Sequence, residues 1–313
     1  MVLTKPSDRA RELVRGAVDL HVHVWPDTVE RRIDDIGLAV RFKEQGLAGF
    51  VLKSHYVPTA ERAAVVRKAV PGVAVLGSIT LNSSVGGMNA LAVEIAAREG
   101  ARIVWLPSVD AENETAGHTE PRPGQNLPVW AKMQHELRAQ GMDIRPVPVV
   151  DSEGAILPET RAVLERVAAH QLVLATGHLG RDEIFVVVDA ARAMGVETIV
   201  VTHPEFPSQS LSEADQLELA RKGAFLERCF TTPYTNKVSW DVWLSRTRAV
   251  GTERSVLSTD LGQLDNPDVE DGMPLMADRL LDAGFGEEEV ATMAVANTRL
   301  IAGLEPSQVA GRR

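Results

Sequence analysis

Eight short runs rich in Val, Ile and Leu recur along the chain, at 17–23, 48–53, 73–80, 101–106, 172–176, 198–202, 224–227 and 255–259. Their centres show little alternation between apolar and polar residues, which is how strands buried on both faces of a parallel sheet read. Amphipathic stretches of helical length separate them, at 34–45, 59–69, 88–98, 127–140, 181–194, 211–222 and 237–250. Gly46, Gly72, Gly100, Gly141, Gly195, Gly223 and Gly251 stand at or just past the ends of those stretches, where a helix turns left-handed to stop. A repeated helix–glycine–strand rhythm argues βα units with right-handed crossovers.

Eight such strands in 313 residues fit an α/β fold of the closed (β/α)8 TIM-barrel type. An open, doubly wound sheet is the alternative. We expect one domain over 1–313. It would carry a polar loop insertion at about 109–125, a β-ribbon at about 143–158 around Ser152–Gly154, and a loosely ordered tail at about 305–313.

Composition removes several function classes. Lys and Arg number 33 against 43 Asp and Glu, a formal net charge of −10, and phosphate neutralisation needs the opposite balance. A nucleic-acid partner is therefore not expected. No run of about 18 uncharged apolar residues suggests a membrane span, and the first 23 residues lack the apolar core of a secretory signal, so the expected setting is cytoplasmic. The single cysteine, Cys229, excludes a disulfide framework and reads as a small buried residue. The expected partner is a small-molecule substrate. Apolar outer helix faces permit a homo-oligomer without requiring one.

The chemistry collects in the histidines. Of eight, His21, His23, His178 and His203 fall at the C-terminal ends of expected strands, and His55 lies just past another. In a (β/α)8 barrel those ends converge on one pocket. The first strand closes with Asp19-Leu20-His21-Val22-His23, and residues two apart on a strand share a face. His21 and His23 can thus chelate one divalent ion at about 2.0–2.1 Å per nitrogen. The plain alternative is a pair of core histidines bonded to carbonyls. The runs LVLATGHLG and IVVTHPE each end a strand at a histidine, making His178 and His203 further candidate ligands. In SVLSTDLG, Asp260 ends the last strand, where a carboxylate can bind a metal and accept a proton; a helix N-cap is the alternative.

These residues, in this order, resemble the amidohydrolase superfamily of metal-dependent hydrolases, and locally a little-characterised branch grouped with PHP-like metal hydrolases. The resemblance rests on Asp19, His21 and His23, then His178, His203 and Asp260, with TRLIAGL near the end also in keeping. It implies a (β/α)8 barrel with the metal site at the C-terminal ends of the strands. It further implies one or two divalent ions and an activated water. Zn²⁺ is the first choice, with Mn²⁺, Co²⁺ or Fe²⁺ as substitutes. Members with two metals usually carry a carboxylated lysine or an acid on strand four. Here that strand, RIVWLP, has neither before Asp110. Strand two instead offers Lys53, two residues before His55. Lys53 could bridge two metals as a carbamate, remain an ammonium that binds substrate, or form a rim salt bridge with Asp19 or Asp260. Glu227 is a weaker candidate acid, with an ion pair to Arg228 as its alternative.

The expected reaction is hydrolysis of an amide, cyclic amide or lactone, with Asp260, His203 and Lys53 as catalytic groups. Lys53 and Asp260 join His21, His23, His178 and His203 in the expected ligand set. His55, His118, Arg181 and Tyr234 are the expected substrate contacts, Arg181 as a carboxylate clamp. For each of the last three a solvated loop position is the alternative. Trp105 reads as a pocket wall or a core residue. Other reactions compatible with the same barrel are PHP-type phosphoester hydrolysis and, further off, a lyase or decarboxylase step. A catalytically silent barrel is the remaining option.

Overall fold

A computed structural model describes residues 5–116 and 129–305. Eight strands form one all-parallel sheet in sequential order: β1 (Val18–Val22), β2 (Gly49–Leu52), β3 (Ala74–Thr80), β4 (Ala101–Trp105), β5 (Val173–Ala175), β6 (Thr198–Val201), β7 (Phe225–Cys229) and β8 (Ser255–Ser258). Each coincides with one of the eight apolar runs. The fold is a (β/α)8 barrel. The seven glycines expected at helix ends all take positive φ.

The barrel closes between β8 and β1 through a parallel bridge, Val22 to Leu261. Asp260 N–H donates to the His21 carbonyl at 2.8 Å, and His23 N–H to the Leu261 carbonyl at 2.8 Å. The seam is thus made by the residues that carry the histidines. Buried Asp19 reinforces it, accepting from the Thr259 N–H at 3.0 Å, the Thr259 hydroxyl at 2.6 Å and the His21 N–H at 3.2 Å.

The register between β1 and β2 departs from a simple strand. Asp19 pairs with Phe50 but Val22 pairs with Leu52, so Leu20 and His21 together oppose Val51. This is a β-bulge, which re-aims side chains near many active sites. Leu20 joins the cluster of Val51, Ile103, Trp105 and Val256, while His21 reaches Trp105, Lys53 and Glu227.

Apolar residues also fill the layer between barrel and helices. The far end is stoppered by the helix Asn297–Ala302, whose Ile301 and Ala302 enter the interior cluster. Thr298 Oγ1 there accepts from Val18 N–H at 3.1 Å, and Asn297 donates to the Ser255 carbonyl at 2.8 Å. With one end filled, the histidine end is where a pocket can lie.

Two expected irregularities take specific form. Within 109–125, Glu112–Ala116 is a short helix, and residues 117–128 lie outside the described residues. Over 143–158 the antiparallel pairing is one bridge, Val150 to Ile156, around a turn in which Asp151 N–H donates to the Ala155 carbonyl at 2.8 Å. The ribbon is therefore reduced to a tight turn. Pro158 then opens the helix Pro158–Ala169, for which its fixed φ is preorganised.

Burial pushes the Asp19 carboxyl up to about 7 against the pull of its three donors. A carboxyl raised above its unfolded value stabilises the fold fully below about pH 4 and loses that contribution as pH climbs through 7. In metal-free protein, the unfolding free energy of Asp19→Asn relative to wild type should therefore rise between pH 5 and 7.5. Urea titrations across that range check it. A constant difference would show that Asp19 does not change its proton occupancy on folding.

Candidate metal centre

Five of the eight histidines meet at the C-terminal mouth of the barrel. Their rings form a circuit: His21 to His23 at 5.3 Å, His23 to His55 at 4.9 Å, His55 to His178 at 6.3 Å, His178 to His203 at 4.9 Å, and His203 back to His21 at 6.1 Å. Asp260 lies beside the first two, its Oδ1 3.1 Å from His21 Nε2 and 3.2 Å from His23 Nε2. Its other oxygen accepts the Thr231 hydroxyl at 2.9 Å.

Backbone strain concentrates here. His203 (φ 24°) and Asp260 (φ 55°) are two of the five non-glycine residues with positive φ among those described. Such conformations cost about 1–3 kcal/mol each and persist where the surroundings over-determine them. Just before His178, Gly177 has φ 61°, and a Cβ there would meet the Leu106 carbonyl oxygen at 2.3 Å. Only glycine lets the β5 turn pass that close to the β4 loop.

Carboxylates and hydroxyls outside the circuit orient its rings. His21 Nδ1 lies 3.1 Å from Glu227 Oε1, and Glu227 also accepts from Ser258 Oγ at 2.7 Å and His203 N–H at 3.2 Å. His178 Nδ1 lies 3.3 Å from Glu114 Oε2. His55 Nδ1 is 2.9 Å from Ser108 Oγ, which is in turn 3.0 Å from Asn82 Nδ2. At His21, a carboxylate hydrogen-bonded to Nδ1 holds that nitrogen protonated and leaves Nε2 as the lone-pair atom, the usual support for a metal-binding histidine. Glu227 is thus a positioning acid for His21. Its neighbour Arg228 pairs with Glu205 and bonds Gln216 at 2.7 Å instead.

The electrostatics suit ligation. Burial, with neighbouring positive charge, lowers His23 and His203 to about 3 and holds His55 well below its ordinary value, so all three are neutral imidazoles. At His21, burial and Lys53 push downward, but the charges of Asp260 and Glu227 outweigh them and its pKa is raised. Burial pushes Glu227 up, yet His21 and Ser258 bring it down to about 2. Burial likewise raises Asp260, but the charge and hydrogen bonds of His21, followed by His23, hold it well below the usual carboxylate range.

A divalent ion fits one part of this cluster. Tetrahedral ligands at about 2.05 Å from an ion stand about 3.3 Å apart, and the contacts among His21, His23 and Asp260 are 3.1 and 3.2 Å. Their donor atoms lie within 4.8 Å of one another. Among the described residues, buried His23 Nδ1, His178 Nδ1 and His203 Nδ1 make no hydrogen bond, an expensive state for polar atoms.

Lys53 enters from β2. Its Nζ is 2.9 Å from His21 Nε2 and 4.2 Å above the Trp105 ring, and among the described residues it forms no ion pair within 4.0 Å. The salt bridge to Asp19 or Asp260 is therefore not made. Burial lowers the Lys53 pKa, against the charges of Asp260 and Glu227. Trp105, fully buried against His21 at 4.7 Å, floors the site.

The remaining expected contacts divide. Arg181 does not join the circuit. Its guanidinium spans Asp215, at 2.9 and 2.5 Å, and Asp182 at 2.7 Å, tying together the helices Arg181–Ala193 and Glu213–Arg221. Tyr234 stacks on Phe230 at 4.9 Å. His118 lies outside the described residues. His170 bonds Glu94 at 2.7 Å on the outer surface, and His135 belongs to the helix Val129–Ala139. Cys229 is buried 3.8 Å from His21 Nδ1, with its thiol pKa pushed well up by burial.

Glu114, Ser108 and Asn82 had no mark in the sequence, because their role depends on loops folding over from other strands. Arg31 and Asp27, at the i,i+4 spacing of an ion pair, meet at 2.7 Å in the loop after β1.

Comparison with solved structures finds the same barrel fold in several proteins. The probable dipeptidase PvdM from Pseudomonas aeruginosa matches over 94% of this chain and 97% of its own, with 11% identity and TM-score 0.60. An amidohydrolase from Burkholderia multivorans with bound zinc matches over 92% and 99%, with 11% identity and TM-score 0.54. A 2,6-dihydroxybenzoate decarboxylase matches over 93% and 100%, with 11% identity and TM-score 0.52. At these identities the likeness is one of fold. No curated protein sequence matches the chain. The chain itself belongs to the family of unknown function DUF6282, whose model matches residues 16–227. No helix among the described residues is long and apolar enough to cross a membrane.

If Glu227 orients His21 as a ligand, Glu227→Gln should weaken divalent-metal affinity by about 10–100-fold. Competition with a fluorescent chelator would measure this. An unchanged affinity would reduce Glu227 to a packing role.

Proposed function

We propose that this protein is a metal-dependent hydrolase acting on an amide, cyclic amide or lactone of a small molecule. The observation that supports it most is the circuit of five imidazoles closed by Asp260. Three of these imidazoles are neutral, and three carry a buried nitrogen that makes no hydrogen bond among the described residues. His21, His23 and Asp260 would hold one divalent ion, and His178 and His203 offer nitrogen donors toward a second. Zn²⁺ suits this nitrogen-rich set, with Mn²⁺, Co²⁺ or Fe²⁺ as alternatives. Such an ion, when bound, lowers the pKa of water and polarises a substrate oxygen.

The chain supplies the rest. Asp260 stays ionised and can accept a proton at Oδ1 or Oδ2, the second oxygen being steadied by Thr231. His203, neutral and fixed through its backbone to Glu227, can orient a developing oxyanion. Lys53, with its pKa lowered by burial, stands 2.9 Å from His21 Nε2 at the edge of this donor set. His55, pinned by Ser108, lines the substrate side.

The test is metal analysis of protein purified without added ions. Activity assays would then follow with Zn²⁺, Mn²⁺ and Co²⁺ on N-acyl amino acids, cyclic amides, lactones, bis(p-nitrophenyl) phosphate and hydroxybenzoates. Ion-dependent cleavage of an amide or lactone is the expected result. Cleavage of the phosphodiester alone, or decarboxylation alone, would replace this reading with another reaction of the same barrel.

A further inference from the structure

Among the five imidazoles at the mouth, His55 is backed by a network unlike the carboxylate behind His21. Asn82, on the loop after β3, and Ser108, on the loop after β4, are both fully buried. The side-chain oxygen of Asn82 accepts two backbone N–H groups, from Ser108 at 2.9 Å and Asp110 at 3.3 Å. Two such donors can meet only an oxygen, so the orientation of the amide is settled. Its nitrogen therefore donates, to the His55 carbonyl at 2.9 Å and to Ser108 Oγ at 3.0 Å.

Ser108 Oγ passes this polarity on. It accepts from Asn82 and has one proton to give. Its other hydrogen-bond partner among the described residues is His55 Nδ1, at 2.9 Å. If Nδ1 carried a hydrogen, the serine proton would be left in a buried place without an acceptor, a costly arrangement. The hydroxyl therefore donates to Nδ1, and the proton of the neutral ring sits on Nε2. At His21 the polarity is reversed, because Glu227 accepts from Nδ1 at 3.1 Å and Nε2 keeps its lone pair. Two rings of one circuit thus carry their protons on opposite nitrogens.

The loops that set this are braced. Asp110 Oδ2 accepts from Ser83 N–H at 2.8 Å, and its other oxygen from Gln134 Nε2. Thr80 Oγ1 donates to the Ser54 carbonyl, next to His55, at 2.7 Å. The His55 ring stacks on His23, with centroids 4.9 Å and planes 25° apart. It is the one ring of the five that is only half-buried. Its Nδ1 edge is turned to Ser108, and Nε2, on the opposite edge, makes no hydrogen bond among the described residues.

We propose that Asn82 and Ser108 fix His55 as the Nε2-protonated tautomer, which makes it a hydrogen-bond donor to a substrate oxygen and removes it from the metal's ligands. An imidazole binds a metal through a lone pair, and the one lone pair of this ring is taken by Ser108. The N–H at Nε2 takes an acceptor. Beside His23, that acceptor is the oxygen that gains charge when an amide or lactone carbonyl is attacked. His55 touches the substrate, and Asn82 and Ser108 are positioning residues that act through it. The identity of the oxygen rests on the hydrolase reading, whereas the tautomer does not.

The proton is located directly by a two-bond ¹H–¹⁵N correlation spectrum of metal-free, ¹⁵N-histidine-labelled protein, with His55→Phe to assign the ring. His55 should show a lone-pair shift at Nδ1 and an N–H shift at Nε2. Protonation of Nδ1, in whole or in part, would overturn the assignment. Asn82→Asp places an acceptor beside Ser108 Oγ, so the hydroxyl should turn to it and the His55 proton should move to Nδ1. Should that variant fail to fold, Ser108→Ala decides. It removes the donor and should mix the two tautomers, while Ser108→Thr, which keeps the hydroxyl, should restore the wild-type pattern. An unaltered pattern in folded Ser108→Ala is the contrary result, and a purely structural role would move none of these shifts. Zinc affinity, by chelator competition, should be the same in His55→Phe and wild type; a loss of about 10-fold or more would make His55 a ligand. Acetohydroxamate, whose oxygens chelate zinc, probes the donor. Its affinity for zinc-loaded His55→Phe should fall by about 10-fold, and equal affinity would remove His55 from the substrate oxygen. If these results hold while no amide or lactone is cleaved, the hydrolase reading fails and the His55 donor stands. Cleavage by a protein whose His55 carries its proton on Nδ1 would mean the reverse.

Discussion

Replacing His21 and His23 together by alanine should leave a folded protein that no longer retains divalent metal. Two of the three donors clustered around Asp260 Oδ1 would be gone. The third alone, an aspartate at a barrel mouth, is an ordinary weak site. Hydrolysis of any substrate found for the wild type should fall by at least about 10³-fold, because both positioning and polarisation depend on the ion. Stability should behave differently. In metal-free wild type the pair is buried, and His23 Nδ1 lacks a partner, so its removal relieves a desolvation cost while opening a cavity. Loss of His21 also leaves buried Glu227 and Asp260 without the partner that holds them ionised, so the metal-free melting temperature should fall. The clearest readout is the response to chelator. EDTA should lower the melting temperature of wild type, through loss of a ligand that binds only the folded state, and leave the double variant unmoved. Retention of a full metal equivalent by the variant would displace the centre from these residues.

The second large effect concerns the seam of the barrel. Gly262→Ala should cost more than about 4 kcal/mol, at the extreme of single substitutions. A Cβ on Gly262 would lie 1.5 Å from the His23 carbonyl oxygen, and the residue's φ of 131° is one that side chains rarely adopt. Neither partner can retreat cheaply. His23 N–H is bonded to the Leu261 carbonyl, and the Gly262 carbonyl accepts from Arg32. The methyl group would therefore prise β8 from β1 at the point where His23 and Asp260 face each other. A fall in melting temperature of about 10 °C follows for a domain of this size, with weaker metal binding beside it. Gly195→Ala is the control. It has φ 86°, and a Cβ there meets nothing within 4 Å, so only the backbone strain of about 1–2 kcal/mol remains. Equal losses in the two variants would show that strain alone, and not the closed seam, is responsible.

Much of the scaffold was legible because it depends on short-range pattern. A strand covered on both faces must be apolar throughout, and a helix packed on a barrel must be apolar along one stripe. The eight runs therefore coincide with β1 to β8. The tight turn near Val150 was harder to read, since proline-separated apolar pieces look alike whether they pair as a ribbon or serve as a bridge and a helix start. The meeting of His21, His23, His178, His203 and Asp260 was legible for a related reason. Strand ends in a closed parallel barrel have only one mouth to occupy.

The sequence by itself determined the period of the fold and the donors that its rim would carry, because both follow from residue type and spacing along the chain. Only the tertiary structure decided which groups aim those donors. Glu227 turns to His21 and not to Arg228, and Glu114 reaches His178 from a short helix after β4. Arg181 is spent on Asp215, and Arg31 on Asp27 four residues away. Such contacts join residues up to 206 positions apart. They are set by loop packing and by competition among buried charges, for which linear spacing holds no record.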